Sequence, residues 1–320
     1  MQTLTTSVLI PSFRRAERLS KCLQSIARQT CQPDEVIVVW QADDTLTKDT
    51  AEQIREVLSY PLRIVHNPKA GIVPAENLAL EASQGQVIFL IDDDAVAQPE
   101  WIASHLRHYT DSNIGAVGGP ANNSYQDGIP FPKRSDEPVG KLRWYGKPIG
   151  NMHDQERAWL TRSPQPVDHL VGYNLSVRRQ AFDRFEDGLK PYWQMFELDV
   201  CLQVRAHGFS VFFDFANVVD HYPTNTVYAD GRDGDISVKV YNAAYNHGFV
   251  LAKHSAWFLR PLRFLYLLGL GSVSKPGLFA FPFAVKRYGS PLREINILVK
   301  TWKYHIAGWM AGARARQSSV

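Results

Sequence analysis

The sequence predicts an α/β fold built on a doubly wound parallel sheet. Runs of β-branched and aromatic residues at Ser7–Ile10, Glu35–Trp40, Leu62–His66 and Val87–Ile91 alternate with stretches whose apolar residues have helical spacing. Val87–Ile91 is continuously apolar, as expected where helices cover both faces of a sheet. The third observation is an abrupt change of chemistry: Val87-Ile88-Phe89-Leu90-Ile91 runs straight into Asp92-Asp93-Asp94. Ligands bind at the C-terminal ends of strands in such sheets. Packed acids there repel unless a cation joins them. A divalent metal with oxygen ligands, of the kind that also carries phosphates, meets that need.

Each element has its own local reason. Ser7–Ile10 is a short apolar strand, broken by Pro11-Ser12-Phe13-Arg14-Arg15. Glu17–Gln29 places Leu19, Leu23, Ile26 and Ala27 at helical spacing. Pro33-Asp34 turns the chain into the Glu35–Trp40 strand, followed by a helix over about Thr47–Leu58 and the Leu62–His66 strand. After the loop Asn67–Gly71, Pro74–Ala82 is helical, with Pro74 suited to a first turn. Gly115–Pro120 reads as a strand entering a turn, and Val171–Arg179 as another strand. Leu198, Cys201, Leu202 and Arg205 form a helical stripe that Gly208 ends. Ser210–Phe215 is a further strand, and Val218-Val219-Asp220-His221 follows it.

The 320 residues suffice for one large α/β domain with an appendage, or for two domains. Three cysteines, Cys22, Cys31 and Cys201, form no CxxC or Cys/His cluster. This fits a reducing compartment and argues against structural zinc or a disulfide framework. Met1–Thr6 is polar and enters a strand directly, so no signal peptide is expected. No apolar run approaches the roughly 20 residues of a membrane-spanning helix. The expected location is cytoplasmic, with peripheral attachment at the inner face of the cell membrane. The net charge of +3 conceals an asymmetry: Leu251–Val320 holds 11 Lys+Arg and one acid, Glu294, while the preceding chain holds 24 basic and 31 acidic residues. A basic tail on an acidic body suggests contact with an anionic surface.

Several stretches, in this order, resemble glycosyltransferase family 2. They are Ser7–Arg14, the Cys22–Ile26 helix with Gln29 after it, Glu35–Val39, Gly71-Ile72-Val73-Pro74-Ala75-Glu76-Asn77, and Leu90–Asp94 followed by Pro99-Glu100-Trp101-Ile102. The resemblance covers roughly the first 220 residues. It implies a GT-A-like doubly wound mixed sheet, with a Rossmann-like nucleotide-sugar-binding half (1–110) and an acceptor half (111–222). Residues 223–320 then form a mostly helical, basic and aromatic region. Residues 120–168, rich in Pro, Gly and charge, are a candidate lid or an insertion without a role.

The resemblance also implies roles. Asp92 and Asp94 correspond to the family's DxD pair, which holds Mn²⁺ or Mg²⁺ on the donor diphosphate. Asp94 is the better candidate for direct metal contact, Asp92 lies nearer the ribose or metal, and Asp93 could substitute for either. His221 matches a histidine that completes the metal site, and imidazole suits Mn²⁺ better than Mg²⁺. Pro11, Ser12, Phe13, Arg14, Gln41, Asn77, Asp92, Asp93, Gly172 and Asn174 are the candidate nucleotide-sugar contacts. Aligned on Cys201, Arg205 and Gly208, the family's catalytic aspartate falls on Glu197, with Asp199 as the alternative. A carboxylate at a helix N-terminus stays ionised, as a general base must. Two departures bear on the nucleotide base: Trp40 and Gln41 stand where the family often has Asp-Asp, with Asp43 and Asp44 slightly later, and Glu76 stands where the family has Arg.

In the C-terminal hundred residues, Trp257–Leu268 and Pro276–Phe283 are apolar and aromatic. Ile295, Leu298, Val299, Trp302, Ile306 and Trp309 make one stripe near Lys300, Lys303, Arg314 and Arg316. Such a segment fits a membrane interface; ordinary helical packing is the alternative. Nucleic acid is not expected, since no nucleic-acid-binding motif accompanies the charge. The expected activity is metal-dependent, inverting transfer from a nucleoside-diphosphate sugar to a saccharide or lipid-linked acceptor. Two alternatives use the same stretch: a haloacid-dehalogenase-like phosphatase with Asp92 as nucleophile, and a non-catalytic sugar-nucleotide-binding domain.

Overall fold

The computed structural model describes residues 4–124, 137–152, 162–191, 195–223, 236–271, 277–288 and 290–318. Much of the expected lid, 125–136 and 153–161 with Trp159, lies outside the described residues. The chain forms two compact units. One comprises Met1–Lys141, Ile149–Phe185 and Val200–Thr224; the other Leu142–Pro148, Glu186–Asp199 and Asn225–Val320. Two inner segments thus join the C-terminal region, which a linear division at residue 222 does not include.

The first unit is built on an eight-stranded sheet. Its strands are β1 (Thr6–Ser12), β2 (Glu35–Gln41), β3 (Leu62–Asn67), β4 (Val87–Leu90), β6 (Ile114–Gly118), β10 (Gln165–Pro166), β11 (Leu175–Arg178) and β12 (Ser210–Phe213), in the order β10-β12-β6-β11-β4-β1-β2-β3. β1, β2, β3 and β4 pair in parallel, as do β6 and β12. β11 runs antiparallel to both β4 and β6, and β10 antiparallel to β12. The alternation reads correctly as parallel for β1 to β4, and the mixed sheet that the family resemblance implies is the one observed. Alternation continues through the helix Trp101–His108 to β6 and is lost before β11, since no α-helix lies between them among the described residues; a strand that returns without a crossover helix can enter antiparallel.

β1 also runs further than expected, through Pro11 to Ser12 in register with Trp40. β4 pairs only with Thr6–Leu9, so β1 has one neighbour at Pro11 and the missing amide is tolerated there. The helices α1 (Ala16–Ala27), α2 (Thr45–Arg55), α3 (Ile72–Ala82) and α4 (Trp101–His108) connect the strands. α1 buries Leu19, Cys22, Leu23 and Ile26, the face its spacing predicts. A second sheet, in the order β5-β13-β7, joins β5 (Ala95–Ala97), β7 (Ala121–Asn123) and β13 (Val219–His221). A ribbon of β8 (Lys141–Leu142) and β9 (Pro148–Ile149) lies where the chain passes between units, and α5 (Phe196–Ala206) begins in the second unit and ends in the first.

The second unit contains α6 (Ile236–His254), α7 (Arg260–Gly269), α8 (Phe281–Tyr288) and α9 (Pro291–Ser318). α6 and α9 meet at backbone contact. A Cβ on Gly308 would lie 2.0 Å from the Tyr245 carbonyl oxygen, and one on Gly312 2.1 Å from that of Phe249. Two turns of α9 are therefore restricted to glycine by the neighbouring helix. The expected α9 stripe divides in two. Leu298 is buried, Trp302 Nε1 donates to the Leu268 carbonyl at 2.9 Å, and Trp309 packs on Phe264. Ile295, Val299 and Ile306 remain exposed, continuing a line with Leu292 and Met310. Replacing Gly312 by Val should force α6 and α9 apart and destabilise the unit by about 2 kcal/mol or more, the scale of core overpacking. Urea unfolding of the variant against wild type reads this directly.

Candidate active site

The acidic turn is closed by the Ala95 N–H donating to the Asp92 carbonyl at 3.0 Å, and held to β13 by the Tyr222 N–H donating to the Asp94 carbonyl at 2.9 Å. Its three carboxylates diverge. Asp93 is buried and turns toward β1, accepting from Ser12 Oγ at 2.7 Å and Arg15 Nη1 at 2.9 Å. Asp94 accepts from the same Arg15 nitrogen at 2.7 Å through Oδ2. Asp92 is 41% exposed at its side chain, and its Oδ2 lies 3.7 Å from His221 Nε2.

Register brings His221 here: it pairs with Ala95 of β5 on one side and Asn123 of β7 on the other. Its Nδ1 faces Asn123 Oδ1 at 2.7 Å, and the Tyr173 ring stacks over it at 4.9 Å. Asn123 Oδ1 can only accept, so Nδ1 carries a proton and Nε2 is directed at the carboxylates. Asp94 Oδ1 is 3.2 Å from Nε2, yet it is buried and receives no well-aligned hydrogen bond. One ligand atom from each of Asp92, Asp94 and His221 lies within 4.8 Å of the others. Two carboxylates, an imidazole and a buried carboxylate oxygen lacking a well-directed donor make a donor set that could hold a divalent cation.

The protonation balance reflects this crowding. Burial, reinforced by the charge of Asp94, pushes Asp92 up to about 6. Burial works the same way on Asp94, but the His221 contact and the Arg15 guanidinium outweigh it and hold that carboxyl below its usual range. Burial opposes the charged form of His221, and the two carboxylates overcome it and raise its pKa.

Three residues the sequence reading does not single out thus complete the site: Arg15, Asn123 and Tyr173. Arg15 had a signal, since it directly follows the Pro11–Arg14 stretch and adjacent acids need a cation. Asn123 and Tyr173 had none, being placed by β-sheet register and a short turn.

Several expected contact residues are turned inward. Gln41 is buried, accepting from Gly71 N–H at 2.8 Å. Asn77 brackets Phe185, donating to its carbonyl and accepting from its N–H, both at 3.0 Å. Asn174 is fully buried: it accepts from Trp101 Nε1 at 2.8 Å and donates to the carbonyls of Pro120 and Asn217 at 3.1 and 2.6 Å. Pro11, Phe13 and Gly172 are also buried. Arg14 adopts φ +56°, with its N–H on the Asp44 carboxylate and its guanidinium 3.5 Å from Asp43. The two late acids are thus engaged at the loop after β1, and Asp44 also caps α2. Trp40 stacks on His66 at 3.8 Å.

Glu197 lies in the first turn of α5, half-buried. Asp199, its alternative, is fully buried against Lys253 Nζ (3.0 Å) and His254 Nε2 (2.7 Å). Both belong to the second unit, the acidic turn and His221 to the first.

This fold is shared with GT-A glycosyltransferases. A mannosyltransferase from Pyrobaculum calidifontis, solved with GDP-Man and Mn²⁺, superposes with a TM-score of 0.57 at 16% identity, over 100% of this chain and 88% of that one. That likeness concerns the fold alone. The glycosyl transferase family 2 model matches residues 7–185, and the chain belongs to that family. Among curated relatives, glycosyltransferase AglE of Haloferax volcanii is 26% identical over 132 residues, 41% of this chain and 43% of that protein. The glucosyl-dolichyl phosphate glucuronosyltransferase of the same organism is 28% identical over 109 residues, 34% of each. The matched stretch therefore spans less than half the length of these two relatives. Family membership removes the phosphatase alternative.

Asn174→Ala should remove the shared anchor of Trp101, Pro120 and Asn217 and lower unfolding free energy by about 1–3 kcal/mol, the cost of stranding buried polar groups. A residue contacting only the donor would leave the urea midpoint unchanged.

Proposed function

We propose that the chain is a metal-dependent, inverting glycosyltransferase that moves a sugar from a nucleoside-diphosphate sugar to an acceptor hydroxyl, in polysaccharide or glycolipid synthesis. One observation carries the reading. Asp92 and Asp94, inside the family 2 match over residues 7–185, converge at the end of a central strand with His221, which lies beyond that match, and a buried Asp94 oxygen belongs to the cluster. These three residues would hold Mn²⁺ or Mg²⁺, and the imidazole in the set favours Mn²⁺. Such an ion, when bound, neutralises charge developing on the leaving diphosphate.

The chain's own residues supply the rest. Asn123 fixes the ring of His221 through Nδ1, and Arg15 offsets charge on Asp93 and Asp94. Ser12 holds Asp93 out of the cluster. Glu197 accepts the acceptor hydroxyl proton while that oxygen attacks the anomeric carbon. The bond to the diphosphate breaks in the same displacement, so the configuration inverts. The sugar nucleotide and Mn²⁺ in the Pyrobaculum complex support this donor and ion class.

A lipid-linked acceptor at the inner face of the cell membrane fits the second unit. Trp257, Phe258, Phe279 and Phe283 are each more than 60% exposed, within residues 251–320, where Glu294 is the single acid. The relative named for glucosyl-dolichyl phosphate supports the same acceptor class. Among the described residues no helix is long and apolar enough to cross a membrane; the exposed aromatic and basic surface is of the kind that attaches peripherally.

One nucleoside diphosphate should raise the melting temperature with Mn²⁺ present, and Asp94→Ala should abolish that rise. The absence of any shift across UDP, GDP, ADP and CDP would sink the donor-site reading. Glu197→Gln should keep the shift and lower transfer by about 100- to 10,000-fold, the range for a lost general base. Vesicles containing anionic lipid should sediment the protein at low salt. Trp257→Ser combined with Phe258→Ser should weaken that, and equal binding to neutral vesicles would count against it.

A further inference from the structure

One face of α6 holds residues 186–191 and Asp199, all within the second unit. Asn242 Nδ2 donates to the Pro191 carbonyl at 2.7 Å. Asn246 makes a two-way pair with Lys190, accepting from its N–H at 2.7 Å and donating to its carbonyl at 3.0 Å. Phe249 packs on Gly188, where an added Cβ would lie 2.7 Å from its ring. Lys253 Nζ donates to Glu186 Oε2 at 2.8 Å and to both Asp199 oxygens at 3.0 and 3.2 Å; His254 Nε2 donates to Asp199 Oδ1 at 2.7 Å. Positions 242, 246, 249 and 253 recur at helical spacing, so one stripe of α6 makes the attachment.

A buried ion network of this kind is weak evidence for stability, because desolvation offsets most of the attraction. Its effect here is geometric. Burial opposes ionisation of Asp199, yet the His254 bond and the Lys253 charge hold its pKa below the ordinary value. The ionised carboxylate is fixed from two directions, and with it the position and rotation of the first turn of α5. Glu197 is two residues earlier on that turn.

We propose that Asn246, Lys253 and His254 are positioning residues for Glu197: by fixing Lys190 and the Glu186 and Asp199 carboxylates they set the start of α5. This rests on Glu197 being the general base. Apolar packing would bury the same segment equally well, but it would let the turn slide. Direction-specific bonds to two backbone groups and two carboxylates do not.

The test uses the full chain with Lys253→Met, Asn246→Ala, Lys253→Arg and Glu197→Gln. Nucleoside-diphosphate release from UDP-glucose, UDP-N-acetylglucosamine and GDP-mannose is followed with Mn²⁺ across pH, alongside hydrogen exchange of peptide 195–202. Lys253→Met is expected to lower kcat about 100-fold, the scale of an ångström-level misplacement of a reacting group, with donor KM within about twofold. It should also displace the acidic limb of the pH–rate profile and speed exchange of the α5 first turn at least about tenfold. Lys253→Arg should restore most of the rate. Asn246→Ala should give the same pattern more weakly, and it takes the place of Lys253→Met if that variant does not fold. Unchanged exchange in both variants overturns the proposal, whatever the turnover. So does a rate that falls only with the folded fraction while the pH profile stays fixed. Wild-type turnover in Glu197→Gln defeats the general-base reading itself; loss there with normal Lys253→Met and Asn246→Ala defeats only the positioning.

Discussion

Mutual repulsion among Asp92, Asp93 and Asp94 is the constraint around which the first unit is arranged. Three consecutive carboxylates at a strand end cannot share one small, mostly buried space without opposite charge or hydrogen-bond donors. The chain answers from several directions. The loop after β1 brings Ser12 and Arg15 to Asp93, and Arg15 reaches Asp94 as well. β13 brings His221 to the other side of Asp94. One acid is thereby withdrawn, and two are left facing an imidazole. A buried oxygen on Asp94 remains without a well-aligned donor. In a structure that otherwise pairs most of its buried polar groups, such an atom is where a ligand would repay its burial.

Strands β1, β2 and β4 were legible because each buries a contiguous run, and α1 because its apolar residues recur at helical spacing. Periodicity reports that kind of burial well. The same signal is silent about strand direction, so β11 could not be read as antiparallel from its composition. Site residues divide along similar lines. The carboxylates and His221 are chemically conspicuous, and the fold brings Asp92, Asp94 and His221 together. Asn123 is an ordinary polar residue in an irregular stretch, and only the register of a three-residue strand gives it a role. Gln41, Asn77 and Asn174 are named from their places in the resembled motifs, where a polar residue is expected beside the donor. A buried amide that braces a loop has the same appearance, and no local pattern separates the two.

The second unit contains its own lesson about linear boundaries. Composition changes near residue 222, but compactness follows hydrogen bonds and packed rings instead. These draw Leu142–Pro148 and Glu186–Asp199 in with the C-terminal helices. His247 donates to the Gly146 carbonyl at 2.7 Å, and Arg263 Nε to that of Trp144 at 3.0 Å. A region that reads as an appendage therefore holds two pieces of chain from within the family 2 portion and its neighbourhood.

The antiparallel strand β11 also has a consequence for synthesis. It sits between β4 and β6, and its partner β4 leaves the ribosome about 85 residues earlier. At roughly 5–20 residues per second, the β4 edge and the acidic turn after it wait about 4–17 s for that neighbour. Until then a nascent chain presents an apolar strand edge, the kind of surface that pairs with other chains. The N-terminal half, although it contains the acidic turn, would be expected to depend on the ribosome or a chaperone to shield that edge until residue 178 has emerged.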